Sequence, residues 1–246
     1  MYNVVEQLKG GMIVSCQSEG DDPFNQPQYV ALFAKAAEMG GACGIRTEGV
    51  KKLLAIKDIT NLPVIGLIKS HFADGLVRIT GSWQDIKDLL NAKSDIIAID
   101  GTFREREGLS GPAFIKEVKS KYPNAIVLAD IATYKEALAC QEAGADCVST
   151  TLSGYTPDTL DKHDGPDYEL VERLVKSLQI PLFAEGRINT PLEAQKMMEL
   201  GAYAVITGTA ITRPRVVTQW FVNAVKNTQD GTQVIPRGST PAKQDG

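Results

Sequence analysis

Short apolar runs alternate with segments of helical periodicity along almost the whole chain. Eight runs have the length of buried strands, and the segments between them repeat apolar residues at the spacing of an amphipathic helix. The predicted strands are residues 12–16, 42–46, 64–68, 96–99, 126–129, 147–150, 182–184 and 203–207. The predicted helices are residues 28–39, 49–58, 82–92, 111–121, 133–143, 167–178, 190–200 and 213–226.

Local signals mark the ends of several of these helices. Thr133-Tyr-Lys-Glu136 and Thr190-Pro-Leu-Glu193 have the spacing of a capping box, which begins a helix. Three helices end in a glutamate and glycine motif that a strand follows at once: Glu38-Met-Gly40, Glu142-Ala-Gly144 and Glu199-Leu-Gly201. We expect each glycine to take the left-handed conformation that ends a helix.

Strands that alternate with helices predict a parallel sheet. Eight strand–helix units in roughly 225 residues fit a single-domain (β/α)8 TIM barrel better than an open doubly wound sheet. The open sheet is also disfavoured because the first strand is followed by Ser15-Cys-Gln-Ser-Glu rather than a G-x-G-x-x-G loop. We expect the barrel at residues 1–226, with a short leading helix at 2–9, and a polar tail at 227–246.

Composition and charge narrow the class of protein. Apolar residues make up 43% of the chain and charged residues 23%, as in a soluble globular protein. The net charge of −4 argues against a nucleic-acid partner or a membrane surface. No apolar run approaches the length of about 18 residues that crosses a membrane, and no signal peptide opens the chain, so the cytoplasm is the expected location.

Cysteine and histidine positions give no sign of a metal site. Cys16, Cys43, Cys140 and Cys147 form no C-x-x-C pair, and His71 and His163 are the only histidines. We therefore predict no metal and no disulfide. Both histidines are expected to lie in loops.

Polar side chains follow the predicted strands, at the end where barrels carry their chemistry. A single one of them could be an ordinary edge residue, but the whole set at one rim predicts a site. The set consists of Gln17, Arg46, Lys69, Asp100, Asp130, Thr150, Thr151, Glu185, Gly186, Arg187, Gly208 and Thr209.

The loops after the last two strands have the composition of a phosphate site. Gly186 and Gly208 would let backbone N–H groups approach an oxyanion, and either Arg187 or Arg213 could supply a bidentate fork. Barrels often bind phosphate with these two loops. The alternative is that the glycines only make tight turns.

Lys69 ends an apolar run that begins at Pro63. Because a lysine is rarely buried without a partner, its ammonium group should lie either in a cleft where its charge is functional or in open solvent. Repulsion from Arg46, on the preceding strand, is expected to favour the neutral amine of Lys69. A neutral amine can accept a proton as a general base or attack a carbonyl. Glu185 and Asp130 are the candidate acidic partners.

Several of these segments together resemble the N-acetylmannosamine-6-phosphate 2-epimerase family. The resemblance runs from about Leu8 to Val225 and is specific because seven motifs occur in order. They are Gly11-Met-Ile-Val-Ser-Cys-Gln17, Gly44-Ile-Arg46, Gly66-Leu-Ile-Lys69, Ala129-Asp130, Thr150-Thr-Leu-Ser-Gly-Tyr155, Ala184-Glu-Gly-Arg-Ile-Asn-Thr-Pro191 and Gly208-Thr-Ala-Ile-Thr-Arg-Pro214.

The resemblance implies a cofactor-independent barrel isomerase of sialic-acid and amino-sugar catabolism. Its substrate would be a phosphorylated N-acetylhexosamine, because the family interconverts N-acetylmannosamine 6-phosphate and N-acetylglucosamine 6-phosphate. Carried onto this chain, the essential lysine is Lys69 and its acidic partner is Glu185. Four further residues would contact the substrate: Gln17, Arg46, Asp130 and Arg213.

Two other functions compete with this one. A Schiff-base lyase would use Lys69 to attack a keto sugar phosphate, and a sugar-phosphate sensor would bind without turnover. The sequence also leaves open whether one base removes and returns the proton at C2 or two groups act on opposite faces. It leaves both a monomer and a homodimer open, since interface helices and ordinary outer helices have the same pattern.

Overall fold

A closed barrel of parallel strands forms the centre of the computed structural model, which describes residues 4–72, 74–161 and 165–229. All eight predicted strands are confirmed. They are β1 (Met12–Ser15), β2 (Gly44–Glu48), β3 (Val64–Leu67), β6 (Ile96–Asp100), β7 (Val127–Asp130), β8 (Cys147–Ser149), β9 (Leu182–Glu185) and β10 (Ala204–Thr207). The order around the barrel is β1-β10-β9-β8-β7-β6-β3-β2, so the sheet closes between β1 and β2.

The eight predicted helices are also present on the outside of the barrel. They are α1 (Pro27–Met39), α2 (Val50–Lys57), α3 (Trp83–Asn91), α4 (Gly111–Lys121), α5 (Tyr134–Glu142), α6 (Tyr168–Val175), α7 (Pro191–Glu199) and α9 (Pro214–Gln229). A short helix that the sequence did not predict, α8 (Thr209–Thr212), follows the last strand. No helix in the described ranges combines the length and apolar character needed to span a bilayer.

Both ends of the chain differ slightly from expectation. The predicted leading helix is a single 3-10 turn at Glu6–Leu8, and Leu8 is fully buried against the inward-facing side chains of the barrel. Helix α9 continues to Gln229, so its last three residues fall in the predicted tail. The rest of that tail, residues 230–246, lies outside the described residues.

Strand alternation explains how the barrel interior is filled. Successive side chains point inward and outward, so inward residues such as Ile65, Leu67 and Phe183 form one apolar cluster. In six strands an inward-facing position at the mouth of the barrel is polar instead of apolar. These six residues are Ser15, Arg46, Asp100, Asp130, Ser149 and Glu185. Register places Ser15 beside Arg46 and Asp130 between Asp100 and Ser149, so the polar residues form one layer at the barrel mouth.

The helix-end signals are confirmed except at one glycine. Thr133 and Thr190 both form reciprocal capping boxes. Gly144 and Gly201 have φ of 91° and 97°, as predicted for left-handed residues. Gly40 does not, because its φ is −77° and the following residue, Gly41, takes the left-handed conformation at 92°.

An antiparallel hairpin follows β3 and carries Lys69. Its strands are β4 (Lys69–His71) and β5 (Val77–Ile79), and Lys69 pairs with Ile79. Three-residue strands are too short to show periodicity, so these two strands were not predicted. Lys69 therefore projects from a hairpin over the mouth rather than from the end of β3. The four cysteines are free thiols in the structure.

Close packing behind β3 generates a test of the barrel wall. A Cβ on Gly66 would lie 2.5 Å from both Leu53 Cδ1 and Ser94 Oγ, and Ser94 Oγ also accepts a hydrogen bond from Gly66 N. We expect Gly66→Ala to lower the free energy of unfolding by about 1–3 kcal/mol through overpacking, measured by urea denaturation.

The matched control for this test is Gly40→Ala, whose φ is helical and whose added Cβ would lie 3.4 Å from its nearest neighbours. The control should change stability by less than about 1 kcal/mol. Equal unfolding free energies for the two variants would show that the side chains behind Gly66 can move aside at little energetic cost.

Candidate active site

Arg46 lies at the centre of the polar layer and binds two carboxylates. Its side chain is 1% exposed. Nη1 donates to Asp130 Oδ1 at 2.9 Å and Nη2 donates to Asp130 Oδ2 at 2.7 Å, a bidentate pair. Nη1 also lies 3.3 Å from Glu185 Oε2. A buried guanidinium is stable only with such partners, so β2, β7 and β9 are joined across the mouth.

Two hydroxyl groups complete this network. Thr151 Oγ1 lies 2.6 Å from Asp130 Oδ1 and 2.8 Å from Glu185 Oε2, and Ser149 Oγ lies 3.3 Å from the same Glu185 oxygen. A hydroxyl has one proton, so Thr151 can donate to only one carboxylate at a time. A protonated Glu185 would instead donate to Thr151, which then donates to Asp130.

The surroundings of Glu185 favour that protonated form. Burial raises the pKa of Glu185 above its ordinary value, and the nearby charge of Asp130 adds to this effect against the opposing charge of Arg46. Burial also opposes the charge of the Arg46 guanidinium, but Asp130 and Glu185 outweigh it and raise the Arg46 pKa. Glu185 is therefore better suited than an ordinary glutamate to hold and donate a proton.

Lys69 belongs to a second network at the same mouth. Its Nζ contacts Glu19 Oε1, and Arg213 Nη2 donates to the same oxygen at 3.0 Å. Burial alone would raise the pKa of Glu19, but Lys69, Arg213 and Lys52 together hold it below its ordinary value. A carboxylate thus sits between two cations.

This arrangement corrects the sequence argument for Lys69. We expected Arg46 to repel the amine, but Arg46 binds Asp130 and Glu185, while Lys69 binds Glu19. Sequence analysis missed Glu19, because a glutamate in the polar loop after β1 has no distinguishing signal. The loop falls among residues 16–26, where Glu19 precedes Gly20 with φ of 57°.

The two candidate phosphate arginines have different partners. Arg187 Nε donates to Gly165 O at 2.7 Å, Nη1 donates to Ser153 O, and the guanidinium lies over the Tyr155 ring at 5.3 Å. Arg187 therefore holds the neighbouring loop. Arg213 instead bonds Glu19 with its guanidinium at the mouth.

The remaining predicted residues lie around these networks. Gln17 Nε2 donates to Ser15 Oγ at 2.9 Å. Gly186 has φ of 105°, a conformation that requires glycine, and Gly208 packs so closely on Ser15 that a Cβ would lie 3.2 Å from its Cβ. Thr209 begins α8 directly after Gly208.

Asp100 points into the mouth but is occupied by its own loop. Arg104 Nη2 lies 2.6 Å from Oδ2, Arg106 Nη2 lies 3.1 Å from Oδ1, and Thr102 Oγ1 donates at 2.6 Å. Arg104 Nη1 also donates to Val77 O at 3.3 Å, which ties the hairpin of Lys69 to the barrel. Asp100 therefore supports the site from below rather than facing a ligand.

The histidines and acidic groups do not assemble a metal site in the part of the chain that the structure describes. No group of three or more His, Cys, Asp or Glu side chains there is arranged to hold an ion. His71 is exposed and is the last residue of β4, so the prediction that it lies in a loop was wrong. His163 lies outside the described residues.

The buried pairing of Arg46 generates a stability test. Arg46→Met leaves Asp130 and Glu185 facing each other without a counter-charge, so we expect a loss of about 3–5 kcal/mol in unfolding free energy at neutral pH. The loss should shrink as pH falls, because protonation of the carboxyl groups that Arg46 binds removes their uncompensated negative charge.

The control for this test removes an exposed cation. Lys176→Met breaks only the surface pair with Glu172 and should cost about 0.5 kcal/mol or less. Urea denaturation of both variants at two pH values makes the comparison. A loss for Arg46→Met no larger than that of the control would show that the mouth does not depend on this cation.

Comparison with known proteins agrees with this architecture. A family model described as "Putative N-acetylmannosamine-6-phosphate epimerase" matches residues 30–227. Two proteins named "Putative N-acetylmannosamine-6-phosphate 2-epimerase" are each 45% identical to this chain. The one from Caldanaerobacter subterraneus subsp. tengcongensis aligns over 91% of this chain and 94% of its own length. The one from Clostridioides difficile aligns over 91% and 99%.

Solved structures support the same assignment. The N-acetylmannosamine-6-phosphate 2-epimerase from Clostridium perfringens superposes with a TM-score of 0.85 at 39% identity, covering 90% of this chain and 96% of that one. Thiamine phosphate pyrophosphorylase from Pyrococcus furiosus, with a TM-score of 0.59 at 17% identity, shares the barrel fold alone. The chain belongs to the N-acetylmannosamine-6-phosphate epimerase family.

Proposed function

We propose that this enzyme interconverts N-acetylmannosamine 6-phosphate and N-acetylglucosamine 6-phosphate by inverting the configuration at C2. The observation that carries the proposal is the pair of networks at one barrel mouth. One presents the amine of Lys69, and the other presents the buried carboxyl of Glu185. An amine and a carboxyl whose surroundings favour its protonated form, above one opening, can supply the base and the acid that the reaction requires.

The chemistry of the substrate sets the order of steps. The C2 hydrogen is acidic only when C1 is an aldehyde, so the sugar ring must open first. We assign ring opening to Glu185, whose raised pKa suits a proton donor to the ring oxygen. The same buried site places Arg46 near the acid, where its positive charge would stabilise a negative oxygen.

We assign C2 deprotonation to Lys69. The lysine first releases its ammonium proton to solvent; the neutral amine then accepts the C2 hydrogen as a proton, and the electron pair of the C–H bond moves into an enolate whose charge rests on O1. Return of a proton to the opposite face of C2 then inverts the centre, while return to the same face regenerates the substrate. We propose that Lys69 serves both faces, because Glu185 is bound within the Arg46 network.

The rest of the predicted set is proposed to bind the sugar phosphate. Arg213 is the better candidate for the phosphate than Arg187, whose guanidinium is bound to backbone carbonyls. Gly186, Gly208 and Thr209 would add backbone N–H groups there. Toward the sugar itself we place three residues of the inner rim, namely Gln17, Arg46 and Asp130.

The setting of the enzyme is part of the proposal. A phosphorylated sugar does not cross a membrane freely, which supports the cytoplasm as its location. The net charge of −4 argues against a nucleic-acid partner. A homodimer is a further proposal, which a light-scattering mass would decide.

Incubation with N-acetylmannosamine 6-phosphate in D2O tests the function directly. We expect NMR to show the second epimer with deuterium at C2. Cleavage of a carbon–carbon bond, together with irreversible trapping of Lys69 by borohydride and substrate, would favour the Schiff-base lyase instead. Family membership supports the epimerase over that alternative.

Removal of the proposed base should abolish turnover without unfolding the protein. Because general base catalysis contributes about 100- to 10,000-fold, we expect Lys69→Ala to lower kcat by at least about 100-fold. The side chain is 30% exposed at the mouth, so its loss should leave the thermal transition in place.

The control is Lys57→Ala, which removes an amine that pairs with Asp95. Asp95 lies just before β6, at the end of that strand away from the mouth. It should retain turnover within a few-fold of the wild type. Near-normal kcat in Lys69→Ala, or loss of its thermal transition, would overturn the assignment of Lys69 as the base. If Glu185→Gln still exchanges the C2 hydrogen but no longer inverts C2, the returning proton comes from Glu185.

A further inference from the structure

One carboxylate oxygen of Glu19 joins two cations that the proposed function assigns to different parts of the substrate. Oε1 contacts Lys69 Nζ and accepts from Arg213 Nη2 at 3.0 Å. The three side chains are between 30% and 40% exposed, so the bridge lies at the opening of the site. An oxygen held between an ammonium and a guanidinium occupies a position that suits an oxygen of a bound anion.

The backbone around Glu19 is anchored on both sides. Lys52 Nζ donates to Ser18 O at 2.7 Å, and Ser18 Oγ donates to Asp22 Oδ1 at 2.8 Å. Asn25 Nδ2 donates to Gly20 O at 2.9 Å. These bonds fix the loop, whereas the glutamate side chain has three rotatable bonds. Departure of the carboxylate therefore requires rotation of one side chain and no movement of the loop.

Charge balance argues that the carboxylate competes with an anionic ligand. Lys69 and Arg213 together carry two positive charges. The single negative charge of Glu19 compensates one of them, so the three side chains keep a net charge of +1. A phosphate that approached Arg213 with Glu19 in place would meet a like charge at hydrogen-bond distance, which is unfavourable. The phosphate and the carboxylate therefore exclude each other at the guanidinium.

We propose that Glu19 is a positioning residue that holds Lys69 and Arg213 together in the empty enzyme and is displaced from Arg213 by the phosphate of the substrate. Because one oxygen of Glu19 contacts both cations, rotation of the side chain away from Arg213 also removes that oxygen from Lys69. The inference rests on the proposed function for the identity of the substrate. It requires only an oxyanion with the chemistry of phosphate.

The test is calorimetric binding of inorganic phosphate, which needs no turnover, to the wild type and variants at constant pH and ionic strength. Glu19→Gln keeps the shape of the side chain and removes its charge. We expect this variant to bind phosphate about three- to five-fold more tightly, because the competing carboxylate is gone. This factor corresponds to the upper end of the free energy that a partly exposed ion pair contributes. The KM for the sugar phosphate should fall in parallel. A residue that only supported the fold would weaken both.

The control is Asp21→Asn, which removes an equal charge from the same loop. Asp21 is 87% exposed and pairs with Arg215 at 2.8 Å rather than with Lys69 or Arg213. It should change phosphate affinity by less than about two-fold, because exposed charges are screened. An affinity in Glu19→Gln equal to or weaker than that of the wild type would overturn the proposal.

Arg213→Ala separates this inference from the proposed function. It should weaken phosphate binding in the wild type and in Glu19→Gln alike, and unchanged phosphate affinity would show that the anion does not bind at Arg213, which overturns the inference. If the binding results are as expected but the wild type fails to invert C2 of the sugar phosphate, the competition stands and the proposed function is wrong.

Discussion

The pairing of buried Arg46 with Asp130 and Glu185 is the constraint on which the mouth of the barrel depends. A guanidinium that is 1% exposed cannot be left without counter-charges, so the two carboxylates must stay close to it. The three residues come from β2, β7 and β9, and their pairing fixes the spacing of strands across the opening. One cation cannot compensate the negative charge of two carboxylates, and burial favours the protonated form of Glu185. One structural requirement thus creates an acid.

The second consequence is a separation of charges within one site. In the described part of the chain, Lys69 shares its hydrogen-bonded network with Glu19 and Arg213, and Glu185 shares its own with Arg46 and hydroxyl groups. Had the amine and the acid been in contact, they would have exchanged their proton with each other. Held apart, each can keep a different protonation state above the same opening. This separation suits a reaction that needs both an acid and a base.

Much of this site follows from sequence because strand alternation is strict. Once β2, β7 and β9 are placed, Arg46, Asp130 and Glu185 must point inward at the same end of the barrel. Which of these inward residues bind one another does not follow, since that depends on side-chain reach across the mouth. Arg46 was therefore expected to repel Lys69, whereas it binds Asp130 and Glu185.

Local elements without periodicity account for the rest of what sequence analysis missed. The hairpin of Lys69 consists of three-residue strands, and Glu19 lies in an irregular loop whose conformation depends on Lys52 from α2. The left-handed residue after α1 fell on Gly41 instead of Gly40, a choice between adjacent glycines that helix length decides.

Burial favours the protonated form of Glu185 against the opposing charge of Arg46. A carbon-13 NMR titration of glutamate side-chain carboxyls measures this directly, with the signal of Glu185 identified by its absence in Glu185→Gln. We expect a titration midpoint above the ordinary glutamate value of about 4.3. A midpoint at or below that value would show that the charge of Arg46 outweighs burial, and Glu185 could not then act as the proton donor.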